Sequence, residues 1–460
     1  MRNLPGNDGF RLTPGERWSS CYAVDQLANQ SVAAVGIALA ELMQATNLTA
    51  NVQETKVSER LTALWFRYSF RPSGWDMPNL WDPLAGDYRT TDGWIRLHTN
   101  LPHHRMAALG VLGCKSEPEA VRDTVAQWSS DTLEQAIVAA GGVAAAMRSH
   151  SDWQTHPQGQ AVASEPLIHW DDTSSYQIHL RDRPTATMER PLAGLRVLDL
   201  TRVLAGPVAT RTLAGFGATV LRIDPPEWDE PGVLQEIALG KHMTALDLRA
   251  PDDRTRFEDL LLGADVLVHG YRPGALEGLG YDTSRLRGLA PNLIEVRLNA
   301  YGWSGPWAKR RGFDSLVQMS SGIADRGRQW TAGFPAQVDL DAKPVPLPVQ
   351  ALDHATGYLM AAAVLQALSK AAKGMPVANA SLSLARTAQE LHSLTSRNAV
   401  KPAATENLLC AHDSDYSAST EATSWGPGHR LSPPFKVGET QMCWERPATA
   451  SGSAGPFWPD

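Results

Sequence analysis

The sequence predicts an α/β protein with a doubly wound parallel sheet, and three observations between residues 191 and 353 carry that prediction. Apolar strand-like runs alternate there with helical segments, at a spacing typical of parallel sheets. Turns containing glycine and proline follow two of these runs, at 202–207 and 271–274. A lone acid, Asp353, stands at the start of a long apolar helix. Ligands of such sheets bind beyond the carboxyl ends of the strands, so we expect the functional site at these turns.

The elements follow from hydrophobic periodicity and from start and stop signals. The predicted strands of the sheet are 195–200, 219–224, 244–248, 265–269 and 293–298. The predicted helices between and after them are 207–217, 251–263, 283–289, 354–372 and 378–394. Before the sheet we expect a helix at 24–45, a strand at 93–98, and helices at 117–127 and 131–140. Residues 400–430 are predicted to form a mobile loop and 433–437 a final strand.

This pattern divides the chain into three parts. Residues 1–190 would form an N-terminal region with a helix and a smaller α+β segment at about 80–170, and 151–190 would connect it to the sheet. Residues 191–375 would form the large sheet domain. Residues 376–460 would supply a helix, a loop and a return strand.

Composition excludes several classes of protein. The formal charge of −7 argues against nucleic-acid binding, which needs a basic face. Four scattered cysteines without a CxxC pair favour reduced thiols over a disulfide framework. The N-terminus lacks the apolar core of a signal peptide, and the longest apolar helical run, 32–43, is too short for a bilayer. We therefore expect a soluble, cytoplasmic protein without a membrane partner.

The two turns have both a functional and a plain structural interpretation. In the first, Gly206 would let a ligand approach helix amides that favour an anion, but a tight turn without a ligand is about as consistent. In the second, Arg272 beside Tyr271 could bind a phosphate and stack a base, whereas a turn with an exposed arginine is the commoner case. Further positive charge at Lys241, Arg249 and Arg311 is expected near the same sheet edge. GxGxxG and a Walker lysine are absent, which argues against NAD and ATP.

Asp353 also has both a structural and a functional interpretation. Spacing alone favours an aspartate that caps its helix. The functional alternative is a carboxylate nucleophile, which the helix N-terminus would keep ionised in an apolar pocket. The histidines show no metal-ligand spacing, so no metal is expected.

Taken together and in order, these motifs resemble the class III CoA-transferase family (the CaiB/BaiF type), which includes formyl-CoA transferase, carnitine CoA-transferase and alpha-methylacyl-CoA racemase. The resemblance covers about 191–368 and rests on the following segments: PLAGLRVLDLTRVLAGP, GATVLRIDPP, KHMTALDL, ADVLVHGYRPGALEGLG, YGWSGP and ALDHATGY.

The resemblance implies a Rossmann-like large domain, a smaller α+β domain and an interlocked homodimer. It implies transfer of CoA from an acyl-CoA donor to a carboxylic acid, with Asp353 forming first an aspartyl anhydride and then an aspartyl-CoA thioester. Coenzyme A would be bound as a substrate. The residues implied to contact it are Arg202, Val203, Ala205, Leu246, Arg249, Tyr271, Arg272 and Arg311.

The chain departs from the family pattern in ways that keep two alternatives open. Phe313 stands where racemases carry a catalytic histidine, which disfavours an acyl-CoA racemase or epimerase. Gly278 and Pro225 replace arginines that often contact CoA, which leaves a CoA-binding protein without turnover as the other alternative. The small-domain-like segment precedes Asp353 instead of following it, so we expect a permuted or fused chain with residues 15–190 matching a family C-terminal half.

Overall fold

The structure, a computed structural model, describes residues 4–6, 9–332, 342–394 and 409–459, with the side chains of 172–174 set aside. Within these ranges no helix is both long and apolar enough to cross a membrane.

The N-terminal segment begins with a strand, a long helix and a strand–helix pair. Its elements are β1 (Arg11–Thr13), α1 (Val24–Ala45), β2 (Thr55–Ser58), α2 (Glu59–Trp65) and β3 (Phe70–Pro72). Helix α1 has the predicted bounds, because its apolar positions recur every three to four residues and are buried.

A small lobe follows, built on a three-stranded antiparallel sheet with its own hydrophobic core. Its elements are β4 (Gly86–Arg89), β5 (Trp94–Leu97), α3 (Pro102–Leu112), α4 (Pro118–Val125), α5 (Ser130–Ala139) and β6 (Ala144–Ala146). Prolines in the first turns of α3 and α4 and the left-handed Gly113 after α3 set the ends of these helices. We call residues 79–146 the small lobe below.

The stretch from 151 to 190, expected as a connection, contains regular structure instead. It holds most of α6 (His150–Thr155), then α7 (Pro157–Ser164) and β7 (His169–Tyr176). Strand β7 pairs antiparallel with an edge of the main sheet. The sequence did not show this strand because its residues are polar and half-exposed, as an edge strand permits.

The main sheet has seven strands, and its order confirms the predicted doubly wound architecture. Its elements, with the helices between them, are β8 (Arg196–Leu200), α8 (Ala205–Gly215), β9 (Thr219–Asp224), α9 (Leu234–Ile237), β10 (Lys241–Ala245), α10 (Pro251–Leu262), β11 (Val266–His269), α11 (Ala275–Gly278), α12 (Thr283–Leu289), β12 (Ile294–Asn299), α13 (Asp314–Ser320), α14 (Ile323–Ala332), α15 (Ala351–Ala372) and β13 (Val377–Ser383). The spatial order is β10-β9-β8-β11-β12-β13-β7, and the first six strands run parallel. Apart from β7 this is the 3-2-1-4-5-6 order of dinucleotide-binding sheets, in which the order reverses between β8 and β11.

Helix α15 lies at the centre of the molecule. It begins at Ala351, three residues before the predicted start, and packs against both α1 and α8. Gly357 makes the contact with α8 possible: a Cβ there would lie 2.3 Å from the Ala205 carbonyl oxygen and 2.8 Å from Val208. The backbones of the two helices therefore approach more closely than any other residue would permit.

The segment after α15 differs from the prediction in two places. Residues 378–394 were expected as one helix, but β13 occupies the first part and α16 (Leu384–Ser393) begins after it. The part of the predicted loop 400–430 that lies within the described residues contains strands β14 (Tyr416–Thr423) and β15 (Gly426–Leu431), which form a hairpin. The remainder, 400–408, lies outside the described residues. The predicted last strand is present as β16 (Phe435–Val437), followed by β17 (Thr440–Gln441).

One succession of elements occurs twice in the chain. Helices α1 and α15 both span 22 residues, and each carries an aspartate in its first turn, Asp25 and Asp353. Strand β2 follows α1, and strand β13 follows α15. Each strand is followed by a helix with a serine N-cap, which is Ser58 for α2 and Ser383 for α16. We call α1–β2–α2 the first succession and α15–β13–α16 the second, and their long helices pack against each other.

The division into three parts stays a prediction. The main sheet takes β7 from the predicted N-terminal region and β13 from the predicted C-terminal one, so its strands extend beyond 191–375 at both ends.

We expect Gly357→Ala to lower the free energy of unfolding by about 1–3 kcal/mol, because the added methyl group must push α15 away from the backbone of α8. The measurement is chemical denaturation. The matched control is Gly110→Ala in α3, where a Cβ would meet nothing within 4 Å and alanine favours the helix. Equal stabilities of the two variants would contradict the close contact between α8 and α15.

Candidate active site

A cavity of about 480 Å³ opens at the N-terminus of α15. Three parts of the chain line it. They are the turn after β8 with the segment 229–236, the start of α13 with the segment before α15, and residues from 66 to 101 of the N-terminal region. The cavity lies at the carboxyl end of β8, where the sheet order predicts a ligand.

Asp353 is the third residue of α15 and lines this cavity. It is 7% exposed, and its carboxylate accepts no hydrogen bond from the described residues. The other buried acids of the lining have partners: Asp82 accepts from Thr99, Glu230 from Arg222, Glu236 from Ser69, and Asp314 from two backbone amides. Among these acids Asp353 is the one whose oxygens remain available for chemistry.

Asp314 holds the helix end on which Asp353 sits. Its Oδ2 accepts the backbone N–H groups of Leu352 and Asp353, at 2.9 and 3.0 Å. Its Oδ1 accepts the side-chain amide of Gln318, whose oxygen accepts the N–H of Leu347. The carboxylate thus caps α15 from another helix, which a search for a local N-cap could not find.

The structure opposes the expectation that the helix N-terminus stabilises the negative charge of Asp353. Burial, and then the nearby Asp314 carboxylate, raise the pKa of Asp353 well above its usual range. The pKa of Asp314 is itself raised by burial, to about 6. The physical reason is that the free amides of α15 donate to Asp314 and leave the Asp353 carboxyl in an apolar wall without donors.

The first turn lies directly beside Asp353. Val203 and Leu204 line the cavity, and Ala205 is buried as the first residue of α8. Val203 has a φ of 66°, a left-handed conformation that costs a β-branched residue on the order of 1–3 kcal/mol. Its N–H donates to Glu230 at 2.8 Å, and Glu230 is bound in turn by the buried Arg222. This pairing holds the turn in its strained shape.

Arg202 lies next to this turn, between two aromatic rings. Its guanidinium is 4.3 Å from the ring centre of Trp228 and 5.4 Å from that of Tyr271, whose hydroxyl accepts from it at 3.3 Å. The structure thus brings Arg202 and Tyr271 together from the carboxyl ends of two strands. The indole N–H of Trp228 and the Nε of Arg202 are buried without a hydrogen-bond partner, so this group has donors to offer a polar ligand.

The remaining predicted contact residues are more widely distributed. Arg311 donates to the Gly141 carbonyl at 3.2 Å, and burial, followed by the charge of Arg272, lowers its pKa. Leu246 is buried in the core cluster on which Tyr271 packs. Arg249 is 78% exposed and pairs with Asp247. None of these residues lines the cavity.

Lys241 was expected to add positive charge at the sheet edge, but the structure places it elsewhere. It is fully buried and donates to Asp199 at 2.8 Å and to the Pro207 carbonyl at 3.1 Å. Because Asp199 also accepts from Thr201 and Thr210, this ion pair joins β8, β10 and α8 beneath the first turn.

The small lobe lines the same cavity as Asp353, and sequence reasoning missed these residues. Its lining residues are Asn79, Leu80, Trp81, Asp82, His98, Asn100 and Leu101. The ring of His98 stacks on Phe313 at 3.9 Å, and burial lowers its pKa to about 3. No local motif announces these contacts, because they join segments more than 200 residues apart.

Among the described residues, no group of three histidine, cysteine or acidic side chains could hold a metal ion.

Parts of this chain are similar to known proteins. Residues 192–409 match the model of CoA-transferase family III. The acetyl-coenzyme A transferase nodX of Hypoxylon pulicicidum is 37% identical over 218 residues, which are 46% of this chain and 34% of that protein. The probable fatty acyl-CoA transferase Rv3272 of Mycobacterium tuberculosis is 34% identical over 199 residues, which are 40% of this chain and 48% of that protein.

A crystal structure of Rv3272 aligns with 44% of this chain and 57% of its own, with 32% identity and a TM-score of 0.39. The chain thus spans about a third to a half of the curated relatives that it matches first.

The sheet order and a cavity at the carboxyl end of β8 are typical of nucleotide-binding α/β proteins. The family match is more specific, because residues 192–409 are similar to CoA-transferase family III.

We expect Asp353→Asn to stabilise the folded protein at pH 7.5. In the folded state the raised pKa of Asp353 makes ionisation costly, so the native protein holds this proton to higher pH than the unfolded chain. That destabilisation is absent below the unfolded pKa of about 4 and grows as the pH rises toward the folded one. The amide cannot ionise, so its advantage should be a melting temperature a few degrees (~2–6 °C) higher at pH 7.5 and should vanish near pH 4.

Thermal denaturation across pH tests this expectation, with Asp229→Asn, an exposed acid of the same cavity, as the control. A gain for Asp353→Asn that is the same at both pH values would contradict the raised pKa.

Proposed function

We propose that this protein is a CoA-transferase in which Asp353 is the nucleophile. The observation that carries the proposal is the buried, unpartnered carboxylate of Asp353 in a cavity at the carboxyl end of β8. The family match over 192–409 and relatives whose names describe CoA transfer support it. A carboxylate without hydrogen bonds is a stronger nucleophile than one that is solvated or paired.

The proposed reaction passes through two covalent states of Asp353. A carboxylate oxygen attacks the carbonyl carbon of the acyl-CoA thioester, and the carbon–sulfur bond breaks to release CoA thiolate and leave a mixed anhydride. The thiolate attacks the Asp353 carbonyl carbon, which releases the donor acid as a carboxylate and leaves an aspartyl-CoA thioester. The acceptor carboxylate then attacks the carbonyl carbon of that thioester, and the carbon–sulfur bond breaks to release CoA thiolate and leave a second anhydride. Return of the thiolate to the acceptor's carbonyl restores Asp353 and yields the new acyl-CoA.

The residues proposed to hold CoA extend from the cavity along the carboxyl ends of the strands. Val203 and Ala205 would border the reacting thioester, since their turn lies beside Asp353. Arg202 and Tyr271, with Trp228, offer aromatic faces and unused N–H donors suited to the nucleotide. Arg272 and Arg311 form a pair of cations suited to phosphates. Leu246 and the exposed Arg249 would complete the contact with the nucleotide.

We also propose that the chain is a fused or permuted form of its family. The small-lobe segment precedes the sheet in the chain and yet lines the same cavity as Asp353. The first succession, α1–β2–α2, repeats the second, which contains Asp353. The interlocked homodimer and the cytoplasmic location stay predictions.

One observation favours a second candidate function, an acyl-CoA racemase or epimerase. Phe313 replaces the expected histidine, but His98 stacks on Phe313 and lines the same cavity. Its position would bring an imidazole to the α-carbon of a bound acyl-CoA, but burial lowers its pKa to about 3, which makes it a weak base. The third reading, a CoA-binding protein without turnover, rests on Gly278 and Pro225 alone.

We expect acyl-CoA to leave a covalent adduct on Asp353, and Asp353→Ala to abolish CoA exchange between an acyl-CoA and a free acid. Mass spectrometry of the digested protein locates the adduct, and calorimetry should show CoA binding largely retained in the variant. Asp229→Ala serves as the control, because this acid lines the same cavity but is exposed.

Three other results would replace the proposal. Unchanged transfer by Asp353→Ala would refute the nucleophile. Exchange of the α-proton in deuterated water without CoA exchange, lost in His98→Gln, would favour the racemase. Binding of CoA without either reaction would favour the binding protein.

The charges of the lining indicate the class of acid transferred. Most of its acids are already paired, and the one lysine or arginine among the described lining residues, Arg67, is exposed at the mouth. The apolar residues of the lining include Phe66, Leu204, Phe313 and Val349. A second carboxylate on the substrate would be buried without a cation, which is costly.

We therefore expect apolar monocarboxylic acids, such as hexanoic or phenylacetic acid, to be used roughly 10–100-fold better than succinate or malate, which corresponds to about 1.4–2.8 kcal/mol. The measurement is kcat/KM for each acceptor with one acyl-CoA donor. A preference for dicarboxylic acids that is lost in Arg67→Gln, but kept in the surface control Arg256→Gln, would overturn this expectation.

A further inference from the structure

We propose that Asp314 is a positioning residue that makes Asp353 reactive, by orienting its helix end and by placing a second negative charge beside it. This inference rests on the proposed function, and nothing in the sequence motifs suggested it. Asp314 follows Phe313 directly and is the first residue of α13. The start of this helix therefore brings both the Phe313 ring and the Asp314 carboxylate to the cavity.

The orienting contacts are specific. One oxygen of Asp314 accepts the N–H of Leu352 and of Asp353 itself, so it is fixed relative to the backbone of the nucleophile. The other oxygen accepts from Gln318 at 2.5 Å, and Gln318 accepts the N–H of Leu347 at 2.7 Å. Both ends of the segment that leads into α15 are therefore tied to α13. A displacement of α13 would move the reacting carboxyl with it.

Few charges offset the repulsion between the two acids. The cations near the pair are Arg96, which acts on Asp314 and is paired with Asp87, and the exposed Arg67. The histidines that line the cavity, His98 and His354, have a pKa lowered to about 3 and are neutral. The remaining acids of the lining are Asp82, Asp229, Glu230 and Glu236. The charge on Asp353 is thus surrounded by neutral or negative groups.

The chemistry uses this repulsion. Two carboxylates close together in a buried site disfavour the state in which both are ionised. When Asp353 attacks a thioester, its charge leaves with the CoA thiolate and the resulting anhydride is neutral. The repulsion from Asp314 is present before the step and absent after it, so Asp314 favours formation of the covalent adduct.

A purely structural cap is the alternative, and it would behave differently. An asparagine at 314 could still accept the two backbone amides through its oxygen. Its NH₂ group would then face the NH₂ group of Gln318, and one hydrogen bond would be lost. The pair Asp314→Asn with Gln318→Glu restores that bond, because the glutamate accepts from the asparagine and from the N–H of Leu347. The double variant keeps the number of hydrogen bonds and moves the negative charge away from Asp353.

The experiment measures the rate of adduct formation on Asp353 from one acyl-CoA, between pH 4 and 9, in the wild type, Asp314→Asn, Asp314→Asn/Gln318→Glu and the control Asp252→Asn, which is exposed on α10 and does not line the cavity. We expect the acid limb of the double variant to move about one pH unit lower, because Asp353 loses its like-charged neighbour. We also expect a lower rate than the wild type above both limbs, since the carboxylate is then less basic. The two profiles should cross, whereas Asp252→Asn should follow the wild type.

Other results would contradict either the role inferred for Asp314 or the nucleophile proposed at Asp353. A profile of the double variant that is lowered equally at all pH values would show a structural role alone and refute the inference about charge. An unchanged profile would refute it as well. If Asp314→Asn fails to fold, the double variant still decides the question. If neither folds, Asp314 acts on stability alone and the inference is overturned. Absence of any adduct in the wild type would instead refute the nucleophile proposed for Asp353.

Discussion

The capping of one buried helix governs the rest of this structure. The first amides of a helix need acceptors, and α15 begins inside the protein, where water cannot supply them. The carboxylate of Asp314 accepts two of these amides from another helix. Because these N–H groups donate to Asp314, they are not available to the Asp353 carboxylate. Among the described residues, Asp353 therefore has neither a hydrogen-bond donor nor a cation beside it. Stability of the helix end and reactivity of the cavity thus have a common origin.

Sequence periodicity predicted the sheet because both faces of its strands are covered. Runs such as those of β8 and β11 are mostly apolar and buried, and each is followed by a turn and a helix. Helix α1 was predicted with its observed ends because its apolar positions recur with the helical period. The errors concern segments where packing overrides local pattern. Strand β13 and helix α16 follow each other directly in the sequence, and pairing with β12 and β7 makes the first part extended.

The candidate site was predictable in part. Asp353, Val203 and the pair Arg202–Tyr271 belong to continuous motifs, and the structure brings them to one edge of the sheet. Asp314 and His98 act through contacts made across long sequence separations, which no local spacing encodes. Lys241 shows a different error. This lysine was interpreted as surface charge, although it is buried and pairs with Asp199 on β8, two strands away in the sheet.

The first and second successions have the same order of elements but different surroundings. Both successions contain a 22-residue helix, a strand and a serine-capped helix, but the surroundings of their acids differ. Asp25 forms an ion pair with Arg17 at the surface, whereas Asp353 is isolated in the interior. Because α1 packs against α15, the first succession supports the long helix that carries Asp353. The same order of elements thus serves as a buried wall of the cavity in one place and as the scaffold behind that wall in the other.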